Sequence, residues 1–196
     1  MSELRTNRIV PRDGIPAGAT AGGLIQVVQV VSKNKFSYST TNTWAGITGL
    51  SASITPTRSD SKVMIELAMN MGCPNNRHIN LRMDRNGLPL AGANGDNTGV
   101  TNQQEVFYYF YSENAHGEED QRHVTFKYID SPATTSAVEY HPAVYIWGGQ
   151  GSTTFYTNRA NNNANQEYYG SSISTITLTE LSGSVSYTHL TLPTKA

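Results

Sequence analysis

Alternation of apolar and polar positions dominates this chain. From Lys62 to Met71, the residues Val63, Ile65, Leu67, Met69 and Met71 fall on one side, with Glu66 and Asn70 on the other. That is the two-residue period of a half-buried strand. His78 to Arg85 repeats the pattern with Ile79, Leu81 and Met83 inward, then stops at Asn86-Gly87, a pair that supplies the positive φ angles of a tight hairpin turn. The same reading gives strands over Leu24–Val31, Leu50–Thr55, Glu105–Ser112, Arg122–Asp130, Ala137–Trp147, Thr153–Asn158 and Ser172–Leu181. Pro142 places its strand at an edge or bends it there, because proline cannot donate to the ladder. No stretch carries a helical period with a cap. The prediction is an all-β fold, an antiparallel β-sandwich of jelly-roll type with an extended N-terminal arm.

Two polar segments are long for strand connections, residues 91–104 and 159–170, and such loops in compact domains are often functional. If each strand crosses the sandwich once, the four strands between them return the chain to the end it left. The loops are then expected on one rim. In the run Val106–Tyr111, alternation sets Phe107, Tyr109 and Tyr111 on one face against Tyr108 and Phe110 on the other, which predicts a strand covered on both sides. Tyr168 and Tyr169 beside an Asn-rich loop suit contact with sugars, with ring faces for stacking and amides for hydroxyls. The candidate ligand-binding residues are therefore Asn94, Asp96, Asn97, Asn161, Asn162, Asn163, Asn165, Tyr168 and Tyr169.

Residues 1–23 form a Gly-, Pro- and Ala-rich arm holding Arg5, Arg8 and Arg12. It offers too little apolar surface to order itself. The expectation is a docking arm that gains structure on a partner through Arg5, Arg8, Ile9, Val10 and Arg12, with a solvated tail as the alternative. Residues 24–184 are the β-sandwich domain. The segment 185–196 breaks the pattern, and Val185–Thr194 back-translates to the transposon-end adapter used in sequencing libraries. It is expected to be adapter read-through, with the native C-terminus at or beyond Ser184.

Charged residues make up 15% of the chain and the formal net charge is -1, so no global field draws it to nucleic acid or an anionic membrane. The chain lacks the roughly 18 to 20 apolar residues of a membrane span and the apolar run of a secretory signal. A soluble chain without an export signal is expected. Cys73 is the single cysteine, which excludes an intrachain disulfide. The absence of any Asn-x-Ser/Thr sequon favours a bacterial or viral origin over a eukaryotic secretory one.

His78, His116, His123 and His141 fit no zinc-site spacing. Glu113, Glu118, Glu119 and Asp120 make an acidic loop without EF-hand spacing. Neither a metal nor a cofactor is expected. A nucleophile elbow and a phosphate-cradling glycine loop are both missing. The chain reads as a non-enzyme; the weakest alternative, a polysaccharide depolymerase, would draw its carboxylates from Asp96, Glu118, Glu119 and Asp120.

The segments Arg8–Pro16, Gly22–Val30, Leu50–Pro56, Ser61–Val63, Asp130–Ser136 and Ile176–Leu181 together resemble tail-fibre-like and hypothetical structural proteins of tailed phages that infect marine bacteria. The resemblance implies a virion component made in the bacterial host cytoplasm. On that footing the arm binds other virion proteins, the sandwich forms a homotrimer, and the polar loops meet a host surface glycan or protein. A capsid decoration or tail connector without receptor binding is the alternative. Neither nucleic acid nor membrane insertion belongs to this reading.

Overall fold

The computed structural model describes residues 23–72, 76–100, 102–111, 121–151, 153–162 and 164–183. Arg5, Arg8, Ile9, Val10 and Arg12 of the arm, Cys73, the acidic loop with Glu113, Glu118, Glu119 and Asp120, His116, Asn163 and the 185–196 tail lie outside the described residues. In chain order the strands are β1 (Leu24–Ser32), β2 (Ser37–Tyr38), β3 (Trp44–Gly46), β4 (Ala52–Ile54), β5 (Lys62–Gly72) and β6 (His78–Arg85). Then follow β7 (Leu88–Pro89), β8 (Tyr108–Tyr111), β9 (Arg122–Asp130), β10 (Val138–Ile146), β11 (Phe155–Thr157) and β12 (Ser174–Leu181).

They make two six-stranded sheets, antiparallel at every pairing. The first runs β1, β12, β5, β9, with β11 and β2 beside the end of β5. In the second, β3 and β4 share one side of β10, β6 lies on its other side, and β7 and β8 share the far side of β6. Setting aside β2 and β11, and counting β3 with β4 and β7 with β8 as interrupted strands, leaves eight. Their order is first, eighth, third, sixth in one sheet and second, seventh, fourth, fifth in the other. This is jelly-roll winding, as the alternation predicts.

The inward faces meet in one core. Val63, Ile65, Leu67, Met69 and Met71 of β5 are buried against Ile79, Leu81 and Met83 of β6, Tyr140, Val144 and Ile146 of β10, and Ile176 and Leu178 of β12. Each fully buried aliphatic side chain contributes about 1.5–3 kcal/mol. Asn86 and Gly87 take φ of 51° and 78°, turning the chain so that Arg85 pairs with Leu88; this is the hairpin the Asn-Gly pair predicts.

The edge position offered for Pro142 and the shared rim both fail for identifiable reasons. β10 is an inner strand, with β6 on one side and β3 and β4 on the other. Pro142 stands where that second side is interrupted: β4 pairing ends at Tyr140 and Ala52, β3 pairing starts at Ala143 and Gly46, and the Ile47 N–H donates to the Pro142 carbonyl at 3.0 Å. The missing N–H faces the gap, so no ladder bond is lost. The shared-rim argument fails at β11, which pairs only with Met71 and Gly72 of β5 and with β2. It is a stub that does not cross the sandwich. Segment 91–104 instead interrupts the strand beside β6, leaving at Met83 and returning at Leu81, while 159–170 follows β11 at the end of β5.

Candidate functional site

Several loop residues expected to face a ligand hold the loops together. The Asn94 amide accepts from the Met83 N–H at 2.9 Å and donates to the carbonyls of Met83 and Leu90, both at 3.1 Å. It takes the ladder position on β6 left open between β7 and β8. Asp96 accepts from the hydroxyl and the backbone N–H of Thr98, which hold its carboxyl below the ordinary value. The Asn97 amide donates to the Gln103 carbonyl at 3.3 Å.

In the other loop, Asn161 offers its backbone carbonyl to Arg159 and Asn162 accepts from the Ala164 N–H. Asn165 is exposed. Tyr168 and Tyr169 lie with ring centroids 4.6 Å apart, and Tyr168 is 72% exposed.

The outer face of the second sheet carries a feature that the sequence reading missed. Strand register aligns Trp44 with Tyr145, Tyr145 with Asn80, and Asn80 with Tyr109. Because alternate residues share a face, these four form one row across β3, β10, β6 and β8 on the side away from the core. Above it, His78 stacks on Tyr109 at 5.9 Å and meets the Trp147 ring edge-on at 5.2 Å. The Tyr109 hydroxyl lies 2.8 Å from His78 Nδ1.

Segment 102–106 folds over this row. Gln104 Oε1 accepts from Trp44 Nε1 at 3.2 Å, latching the loop to the far side of the sheet. From below, Arg82 places its guanidinium 4.3 Å from the Trp44 ring centre while Asp84 pairs with it at 2.7 Å, a cation–π contact that fixes the indole plane. The Tyr145 hydroxyl donates to Asn42 Oδ1 at 3.2 Å, and Asn42 Oδ1 also accepts the Gly148 N–H at 2.9 Å.

The result is an open groove of about 990 Å³ lined by His78, Asn80, Asn102, Gln103, Gln104, Val106, Tyr109, Tyr145 and Trp147, at the upper end of the range for ligand sites. Among the described residues, no Asp, Glu, Lys or Arg lines it. Among the described residues there is also no cluster of three or more His, Cys, Asp or Glu able to hold a metal ion. Trp147 and Tyr109 are 44% and 52% exposed. Tyr109 therefore lies open on the groove side, where the two-sided pattern predicted cover.

No family model matches the chain, and no curated protein matches it. Solved structures that overlap it include infectious bursal disease virus Gx strain (12% identity, TM-score 0.39, covering 80% of this chain and 36% of that one). A second is the VP2 subviral particle of the same virus, with 12% identity, TM-score 0.38 and coverage of 85% and 42%. A third is a point mutant of that VP2 protein in derived T=1 particles, with 9% identity, TM-score 0.38 and coverage of 97% and 46%. The chain thus spans less than half the length of each. At these scores the overlap carries no argument about function.

Proposed function

We propose that this chain is a virion structural protein of tail-fibre or receptor-binding type that recognises the host cell surface. The observation that carries this reading is the groove on the second sheet, where exposed rings and side-chain amides converge. Such a surface suits recognition by contact. The phage resemblance of the sequence supports the virion part. A jelly roll alone decides nothing, since the fold hosts many functions.

The decoration or connector reading keeps one observation in its favour. Leu24, Val27 and Val31 of edge strand β1 are exposed, and an apolar edge suits burial against a neighbouring subunit. The same strip supports the homotrimer, which sedimentation at micromolar concentration tests; a stable monomer removes it. Immunogold labelling of tailed-phage particles with antibody to the purified chain tests the main reading. Label at fibre tips is the expected result. Label on the shell selects decoration, and particles without label overturn the virion assignment.

A further inference from the structure

We infer that the groove on the second sheet binds a neutral, hydroxyl-rich oligosaccharide, with Asn80 on its floor as the polar anchor and Trp147 and Tyr109 as stacking platforms. The inference rests on reading this groove as a recognition site and names its ligand class.

Asn80 is 9% exposed and its side chain makes no hydrogen bond to any described residue, yet it lines the groove. Its amide atoms are not among the buried polar atoms left without a partner, so they open onto the groove, and a carboxamide both donates and accepts. That pairing matches sugar hydroxyls, which also do both.

The surrounding groups fit the same ligand. The Gln104 carbonyl is occupied by Trp44, which leaves its NH₂ group for a ligand. The Tyr109 hydroxyl, fixed by His78, keeps further hydrogen-bonding capacity. Trp147 and Tyr109 present apolar ring surface of the kind that covers the C–H face of a pyranose.

Charge excludes the obvious competitors. An anionic glycan or a phosphate selects Arg or Lys at the contact, and none of the described residues that line the groove is either. Arg82 is committed to Asp84 and the underside of Trp44. A volume near 990 Å³ suits several sugar units in a row better than one.

The test uses intrinsic fluorescence, because the chain's two tryptophans are Trp44, under the Gln104 latch, and Trp147, in the wall. The full chain is titrated with four- to six-unit oligosaccharides of neutral glucan, mannan and galactan, and with alginate and polygalacturonate oligosaccharides as acidic controls; calorimetry provides a second readout. At least one neutral oligosaccharide should saturate the signal while the acidic ones leave it unchanged. Trp147→Ala and Asn80→Ala should each weaken that binding about tenfold or more. Tyr109→Ala, at an exposed position, serves where either variant unfolds. Lys127→Ala, on the outer face of the first sheet, should leave it unchanged.

Saturation by acidic oligosaccharides alone, no response across the panel, or binding indifferent to all three groove variants overturns the inference. If particles carry label but the panel fails, the glycan assignment falls and the virion assignment stands. If the panel succeeds on unlabelled particles, the reverse holds.

Discussion

The Tyr140 hydroxyl donates a hydrogen bond to the Asp130 carboxylate at 2.7 Å, joining β10 of one sheet to the end of β9 in the other. Asp130 also holds Arg85 of β6 at 2.8 Å, so three strands from both sheets converge on one carboxylate. Burial, followed by the hydrogen bond to Asp130 and then the Asp130 charge, pushes the Tyr140 hydroxyl well above its ordinary value.

Tyr140→Phe should therefore destabilise the fold by about 1–3 kcal/mol, the range for a buried hydrogen bond to a charged group. A raised folded value means stability present below the unfolded tyrosine value, about 10, and lost as pH climbs beyond it. Urea unfolding of the native chain should thus show a steep alkaline fall above pH 10 that Tyr140→Phe flattens. Equal slopes in the two proteins would remove Tyr140 from the account.

At the first sheet's β1 edge, Glu180 is fully buried and accepts from Gln26 Nε2 at 2.6 Å, the Thr57 N–H at 2.7 Å and the Thr57 hydroxyl at 2.8 Å. Burial alone raises its pKa, but the hydrogen bonds together outweigh that and hold it below the ordinary value. A lowered folded value gives stability that is present above the unfolded value, near 4.5, and lost as pH falls through the folded one. Glu180→Gln should cost about 1–3 kcal/mol at neutral pH. It should also flatten the acid limb of the stability curve below about pH 4.5. An acid limb unchanged by the substitution would count against this account.

How much of this was legible beforehand depended on the length of each element. β5, β6 and β9 are long enough to display their alternation, and the predicted limits hold to within a residue. β2, β3 and β7 have two or three residues each, too few to show a period, and β11 looked like a full strand only because length cannot be read from three residues. The outward position of Asn80 was implied by placing Ile79 and Leu81 inward, whereas the two-sided apolar pattern of Val106–Tyr111 hid the exposure of Tyr109. The alignment of both with Tyr145 and Trp44 was not implied, because register between distant strands is set by the whole sheet and not by any local pattern. The loop amides misled for a related reason. Asn94 is polar and sits in a long loop, but its partners are the backbone groups of Met83.

Asn94→Ala should therefore act on the loop before it acts on the fold. The Met83 N–H loses its acceptor while the Met83 carbonyl keeps the Leu90 N–H at 2.9 Å, so one backbone donor is orphaned at a cost of about 1–3 kcal/mol. Hydrogen exchange should accelerate across residues 91–100 and stay unchanged in β5 and β9. Because the Gln104 latch belongs to the same segment, the Trp44 emission spectrum should shift as well. Uniform acceleration over the whole sandwich would show that Asn94 supports the core and not the loop.

Gly72 fixes the other loop. It pairs with Tyr156, and the chain after β11 crosses directly over it: a Cβ here would run into the Arg159 carbonyl oxygen and come within 2.9 Å of the Ala160 Cα. Those are backbone atoms, and they are held. Arg159 stacks its guanidinium 4.0 Å from the Tyr156 ring and donates to the Ala160 carbonyl at 2.9 Å, while Ala160 itself is buried. Neither side can give way cheaply, so Gly72→Ala should destabilise by about 1–3 kcal/mol through overpacking. For a domain of this size that corresponds to a thermal midpoint lower by roughly 2–4 °C per kcal/mol. The strain should spread into residues 158–162 and speed their amide exchange, and leave tryptophan emission from the groove as it was, since 159–170 and the groove occupy different parts of the sandwich. A midpoint equal to that of the native chain would mean that the crossing relaxes freely, and that loop 159–170 is not pinned to the end of β5.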